Sequence, residues 1–111
     1  MQTMLALPQF CVIRPHGSIN ASNAVDFQRQ MTTAVAQERH SIVLVDLEQV
    51  ELLDSAGLMA LVSGLRVAQA LKRRFSLCSV SPSIQIIFEL TQLDQVFEIF
   101  QSKAAFEAAI A

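Results

Sequence analysis

Hydrophobic positions along the chain follow two periods, which predict strands and helices in succession. Continuous aliphatic and β-branched runs are typical of buried strands, and recurrence every three or four residues is typical of amphipathic helices. The runs predict strands at Thr3–Leu7, Phe10–Arg14, Ser41–Leu47, Phe75–Val80 and Val96–Phe100. The helical spacing predicts helices over 23–38 and 55–73, a third that starts at Ser81-Pro82, and a fourth that Ser102 caps.

The order of these elements, β-β-α-β-α-β-α-β-α, indicates an α/β fold. Helices between strands connect parallel neighbours, and the short gap at Pro8-Gln9 indicates an antiparallel pair at the start. We therefore predict one mixed, mostly parallel sheet of about five strands with about four helices. The strand at 42–47 should lie at its centre, with Val43 and Val45 fully buried. A chain of 111 residues suits a single domain, which we expect to span 1–111.

The composition argues against several classes of protein. Hydrophobic residues make up 52% of the chain and charged residues 16%, which excludes intrinsic disorder. The net charge of −2 argues against direct binding of nucleic acid, which needs a basic excess. The central uncharged run, Phe75–Phe88, is too short for insertion into a membrane. Met1–Ile13 lacks the features of a signal peptide, so we expect a cytoplasmic location.

The cysteines and histidines predict no disulfide, metal site or cofactor. Cys11 and Cys78 lie far apart in apolar stretches, where a small buried thiol is the usual state. We therefore expect both thiols to be reduced and unbonded in the inferred compartment. His16 and His40 do not have the spacing of zinc ligands.

The segment that follows the central strand, 48–57, is where an α/β sheet most often carries function. Asp54 and Ser55 lie there, at the start of the second predicted helix. In one interpretation Ser55 is the N-cap, and Asp54 is a favourable charge at the positive helix end. In the other, phosphorylation of Ser55 adds a charge of about −1.5 to −2 and releases a partner without unfolding. Met59, one turn later, either reaches the core or forms an exposed contact beside this switch.

The sequence does not favour an enzyme. Ser55 lacks the G-x-S-x-G context of a hydrolase nucleophile, and there is no glycine-rich phosphate loop. Asp46 could accept a phosphoryl group only beside a magnesium site, which needs an acidic pair after an earlier strand. Residues 1–14 contain no acid.

Several motifs resemble those of the STAS domain family, the bacterial anti-sigma factor antagonists. VDLEQVELLDSAGLMALVSGLRVAQ resembles the family signature, with the D-L pair at Asp46-Leu47 and the D-S-S/A-G-L motif at 54–58. Gly17–Asn20 is similar to the G-x-L-D turn of the family, and Thr91–Phe97 to its T-G-L-x-x-x-F segment. With the capped helix at Ser102, the resemblance covers almost the whole chain.

The resemblance implies a phosphorylation switch that regulates transcription. Family members bind an anti-sigma factor that is itself a serine kinase, and this frees the sigma factor. The kinase phosphorylates the motif serine, here Ser55, the partners separate, and a serine phosphatase reverses the modification. The protein is then a ligand and a substrate, with no catalytic role of its own.

The resemblance also implies the surface that the partner contacts. Its expected residues are Asn20, Asp54, Ser55, Ala56, Gly57 and Met59. Asn20 replaces the usual aspartate of the family, so one charge is lost there, and Ala56 replaces the commoner second serine. The alternative is a STAS subunit without a switch, an accessory of a transporter or other complex.

Overall fold

Four helices and six strands make up the part of the chain that the structure describes, residues 10–37 and 41–111 of a computed structural model. The strands are β1 Phe10–Ile13, β2 Gly17–Ile19, β3 Ile42–Asp46, β4 Val50–Leu53, β5 Arg74–Cys78 and β6 Glu98–Phe100. The helices are α1 Ala24–Ala36, α2 Ser55–Ala70, α3 Pro82–Leu90 and α4 Lys103–Ile110, and a 3₁₀ turn covers Leu93–Gln95. The predicted α/β class with four helices is confirmed.

The strands form a four-stranded sheet in the order β1-β3-β5-β6 and a separate pair, β2-β4. β3 lies between β1 and β5, and Val43 and Val45 have no exposed surface, which confirms the predicted central strand. Each pairing between described strands is parallel. The antiparallel strand predicted at Thr3–Leu7 lies outside the described residues.

Helices cover both faces of the larger sheet. Val43 and Val45 belong to the larger core, which β3 forms with α1, α2 and α3. Ile42 and Leu44 point to the opposite face, because side chains alternate along a strand, and there they pack with Phe106 of α4. Crossovers between parallel strands are right-handed, and each one here adds the next strand on the same side of the sheet. The helices of these crossovers therefore lie on one face. Among the described helices, α4 covers the other face.

The predicted element order omits β2 and β4. Both are only three or four residues long, and the burial of β4 runs buried, exposed, exposed, buried, which matches neither period. Each follows a strand of the larger sheet after a short turn, β2 after β1 and β4 after β3. β2 and β4 become neighbours because β1 and β3 are paired. This cause is a long-range pairing, which the local sequence pattern does not show.

The second predicted helix ends at Ala70, earlier than expected. Lys72 turns the chain with a left-handed backbone, φ 58°, and the Arg73 amide donates to the carbonyl of Ala68 at 2.8 Å. This is the Schellman arrangement that commonly ends helices. Arg74 already belongs to β5. The predicted end of this helix, at 73, is therefore three residues too late.

Candidate phosphorylation and partner-binding site

The site lies where the small β2-β4 sheet joins α2. The two strands run parallel with Ile19 opposite Leu53, so the residues that follow them leave the same edge. The Asp54 amide donates to the carbonyl of Ile19 at 3.1 Å. This hydrogen bond places Asn20, which directly follows Ile19, beside Asp54. The structure thus brings together the two sequence-distant parts of the predicted partner surface.

Asp54 caps α2, so the interpretation of Ser55 as the N-cap is wrong. The Oδ1 atom of Asp54 accepts the amide of Gly57 at 3.0 Å, and its carbonyl accepts that of Leu58 at 2.9 Å. Ser55 is instead the first residue of the helix, and it is exposed. Within the described residues its hydroxyl has no hydrogen-bond partner, so the cap does not depend on that oxygen.

Gly57 allows α2 to start in contact with the small sheet. A Cβ on Gly57 would lie 2.9 Å from the carbonyl oxygen of Ile19 and 2.7 Å from Cδ1 of Leu53. Both distances are shorter than any normal carbon contact, and the backbone oxygen cannot rotate away. Gly57 is also buried, unlike Asp54 and Ser55. Its contribution to the site is therefore the close approach itself.

Asn20 and Asn23 close the loop between β2 and α1. The Oδ1 atom of Asn20 accepts the amide of Ser22 at 2.9 Å and its hydroxyl at 2.6 Å. The Oδ1 atom of Asn23 accepts the amide of Asn20 at 2.9 Å. In a capping box, the side chain three residues after the N-cap accepts the N-cap amide in the same way. No local signal in the sequence links Asn23 to the site.

Met59 gives the site an exposed apolar side chain. It is 56% exposed, so the interpretation in which it reaches the core is wrong. Ser55 and Met59 are four residues apart on α2 and lie on the same side of the helix. Ala56 is half-buried and packs against the larger core. A flexible thioether beside an exposed hydroxyl suits contact with a protein surface.

Comparison with known proteins agrees with the fold. A family model described as STAS domain matches residues 3–105. The chain belongs to the STAS domain family.

Relatives of this STAS domain include proteins named as anti-sigma factor antagonists. BtrV of Bordetella bronchiseptica, named as one, is 25% identical over 93 residues, 84% of this chain and 79% of BtrV. A Thermotoga maritima structure described in the same way has a TM-score of 0.83 and 20% identity, with 91% of this chain and 86% of that chain covered. A sulfate transporter family protein from Wolinella succinogenes has a TM-score of 0.81 and 14% identity, with 96% and 88% covered. The two structures show that the fold is shared.

The D-L pair of this STAS domain holds the turn that leads to β4. Asp46 is buried, and its carboxylate accepts the Glu48 amide at 3.0 Å and Nε of Arg14 at 3.3 Å. Burial, with a smaller effect from Asp46, raises the pKa of the neighbouring Cys78 thiol to about 11. Cys78 therefore stays protonated at neutral pH, and it is not bonded to Cys11.

None of the helices in the described residues is long and apolar enough to cross a membrane. Within 10–37 and 41–111, no three side chains among His, Cys, Asp and Glu are grouped so that they could hold a metal ion.

Proposed function

We propose that this STAS domain, taken over 1–111, is an anti-sigma factor antagonist that is switched by phosphorylation of Ser55. In the unmodified state it binds an anti-sigma factor with serine kinase activity and so releases a sigma factor. The observation that carries the proposal is the exposed Ser55 hydroxyl, which has no hydrogen-bond partner in the described part of the chain, since Asp54 forms the cap. Such a hydroxyl can be modified without loss of a structural hydrogen bond.

The start of α2 can accept a phosphoryl group without unfolding. The amides of Ser55 and Ala56 precede the first hydrogen bond of the helix, and they point to where an anion is favoured. The bond from Gly57 to Asp54 does not involve Ser55, so the cap can remain. The modification therefore adds a hydrated charge at the surface and leaves the core unchanged.

Release of the partner follows from where that charge would lie. Asn20, Asp54, Ser55, Ala56 and Met59 are exposed or half-exposed around the turn, and we assign them to the contact surface. A charge enclosed in a packed interface without a partner costs about 2–5 kcal/mol. Phosphorylation would then separate the two proteins, and a serine phosphatase would restore binding.

The alternative function is that of an accessory subunit that binds constantly, as a domain of a transporter or another complex. The fold alone allows it, because a sulfate transporter family protein has the same fold. The curated relative named as an antagonist and the exposed motif serine favour the switch. A ligand that binds constantly has no need for an unengaged hydroxyl at this turn.

Phosphorylation in vitro tests the proposal. The protein is incubated with ATP and the serine-kinase anti-sigma factor from its own genome, and the modified residue is located by mass spectrometry. We expect one phosphoryl group on Ser55, none on the Ser55→Ala variant, and release of the kinase on modification. Ser83→Ala, at an exposed serine in the first turn of α3, is the matched control and should be modified like wild type. Equal binding before and after modification would favour the accessory-subunit alternative.

A further inference from the structure

The side chain of Asn23 holds the backbone on both sides of Ile19. Its Nδ2 atom donates to the carbonyl of Ser18 at 2.8 Å, and its Oδ1 atom accepts the amide of Asn20 at 2.9 Å. It makes no side-chain hydrogen bond to the amides of α1, although it directly precedes that helix. One rigid carboxamide therefore fixes the last residues of β2.

Ile19 transmits this restraint to the start of α2. Its carbonyl accepts the amide of Asp54 at 3.1 Å, and the same oxygen lies 2.9 Å from the point where a Cβ on Gly57 would stand. Asp54 and Gly57 lie on either side of Ser55 and are joined by the cap. A displacement of the Ile19 carbonyl would therefore move both ends of the segment that carries the hydroxyl.

We infer that Asn23 is a positioning residue for Ser55 and acts through the Ile19 carbonyl. The functional consequence, that Asn23 helps to present Ser55 to a kinase, rests on the proposed function. The Asn23 carboxamide both donates to Ser18 and accepts from Asn20, whereas an ionised carboxylate of the same shape has no proton to donate. Asn23 acts by holding the backbone of residues 18 and 20, and it is not assigned to the contact surface.

A matched pair of substitutions isolates the donor of Asn23. Asn23→Asp keeps the shape and the acceptor but loses the hydrogen bond to Ser18. Asn20→Asp makes the same chemical change in the same loop, yet among the described residues the Asn20 side chain only accepts hydrogen bonds, which a carboxylate can also do. The two variants therefore have the same net charge and differ in whether Ile19 stays fixed.

Amide hydrogen exchange measures the restraint without any partner. We expect the Asp54 amide of Asn23→Asp to exchange about tenfold faster than in wild type, as loss of a hydrogen bond of about 1.4 kcal/mol does. Amides of β3 and β5 should be unchanged, and Asn20→Asp should match wild type at Asp54. Equal exchange at Asp54 in Asn23→Asp and wild type would overturn the inference, as would an equal increase in both variants.

The rate of Ser55 phosphorylation then measures the consequence. With the serine-kinase anti-sigma factor and ATP, we expect kcat/KM for Asn23→Asp to fall about tenfold. Gln30→Glu, an amide-to-acid change at an exposed position of α1, should match wild type. An unchanged kcat/KM for Asn23→Asp would overturn the inference. If wild type is not phosphorylated at all, the proposed function fails, and the exchange experiment still decides the role of Asn23.

A second variant without an added charge, Asn23→Ala, keeps the test possible if Asn23→Asp does not fold. Asn23→Ala removes both hydrogen bonds and leaves no carboxylate near the Ser18 carbonyl. If Asn23→Asp does not fold, Asn23→Ala should show the same faster exchange at Asp54. Wild-type exchange in that folded variant would overturn the inference.

Discussion

The carbonyl oxygen of Ile19 lies 2.9 Å from the point where a Cβ on Gly57 would stand. This contact joins a strand in the first fifth of the chain to the middle of the motif that carries Ser55. It also explains in physical terms why the fourth residue of D-S-A-G must be glycine here. A backbone oxygen in a paired strand has no alternative position to move to.

Gly57→Ala should lower the free energy of unfolding by about 1–3 kcal/mol, the usual cost of overpacking. The loss should appear although alanine favours a helix over glycine by about 1 kcal/mol. Gly64→Ala is the control, because its Cβ would lie 3.1 Å from the ring of Phe75 and 3.3 Å from Sδ of Met31, both side-chain atoms. Urea denaturation that finds Gly57→Ala as stable as Gly64→Ala would contradict the close approach.

Asp54 and Ser55 should differ sharply in their contribution to stability. Asp54→Ala removes the cap on the Gly57 amide and should cost about 1 kcal/mol. Ser55→Ala removes a hydroxyl without a partner in the described structure and should change stability by less than about 0.5 kcal/mol. Thermal or urea denaturation of both variants checks this. A larger loss for Ser55→Ala would assign the cap to Ser55 after all.

The sequence could predict the scaffold of the site because burial dominates there. Val43 and Val45 lie in a continuous apolar run, which is typical of a strand buried on both faces. The cap could not be assigned, because Asp54 and Ser55 are both good N-cap residues and the choice depends on the residue at which α2 begins. Periodicity does not fix a helix start to one residue. The pairing of Ile19 with Leu53 depends on long-range contacts and has no local signal.

Gln92 carries a backbone strain that glycine would remove. It follows α3 and has a left-handed backbone, with φ 62°. The similar T-G-L segment of the family has glycine at this position. A left-handed conformation costs a non-glycine residue about 1–2 kcal/mol, and glycine loses about 0.5–1 kcal/mol in chain entropy. Gln92→Gly should therefore stabilise the protein by up to about 1.5 kcal/mol. The melting temperature checks this. Thr91→Gly, at a right-handed neighbour, should destabilise, and equal effects of the two would refute the strain.

Glu98 should make stability depend on pH in the acidic range. Hydrogen bonds from Arg74 lower the pKa of Glu98, burial opposes this, and Ser76 adds a smaller lowering. A lowered pKa in the folded state stabilises above the ordinary value, about 4.3, and the gain is lost as the pH falls through the folded-state pKa. The difference in unfolding free energy between wild type and Glu98→Gln should thus be larger at neutral pH than below about pH 4.

The size of this effect is limited because the pair is exposed. Glu98 and Arg74 have side chains 41% and 40% exposed, and exposed pairs contribute at most about 1 kcal/mol. When Arg74→Gln has removed the partner, Glu98→Gln should change stability by nearly the same amount at neutral and at acidic pH. A pH-dependent difference that persists without Arg74 would assign the lowered pKa to another cause.

Ser55→Asp should weaken partner binding and spare stability. An acid at the first residue of α2 gains about 0.3–1 kcal/mol from the helix dipole, and repulsion from the nearby Asp54 carboxylate offsets part of this. The melting temperature should therefore stay close to that of wild type. In a packed interface the same charge lacks a partner and costs about 2–5 kcal/mol, which at about 1.4 kcal/mol per tenfold change lowers the affinity by more than an order of magnitude.

Paired measurements separate this switch from a purely structural role. Titration of the serine-kinase anti-sigma factor and a thermal melt are performed on Ser55→Asp, Ser55→Ala and Ser83→Asp. The last places an acid at another exposed helix start and should bind like wild type, since it lies outside the assigned surface. Ser55→Ala should also bind, because it adds no charge. If Ser55→Asp binds as tightly as Ser55→Ala, a charge at this turn does not release the partner, and the hydroxyl of Ser55 is not the switch.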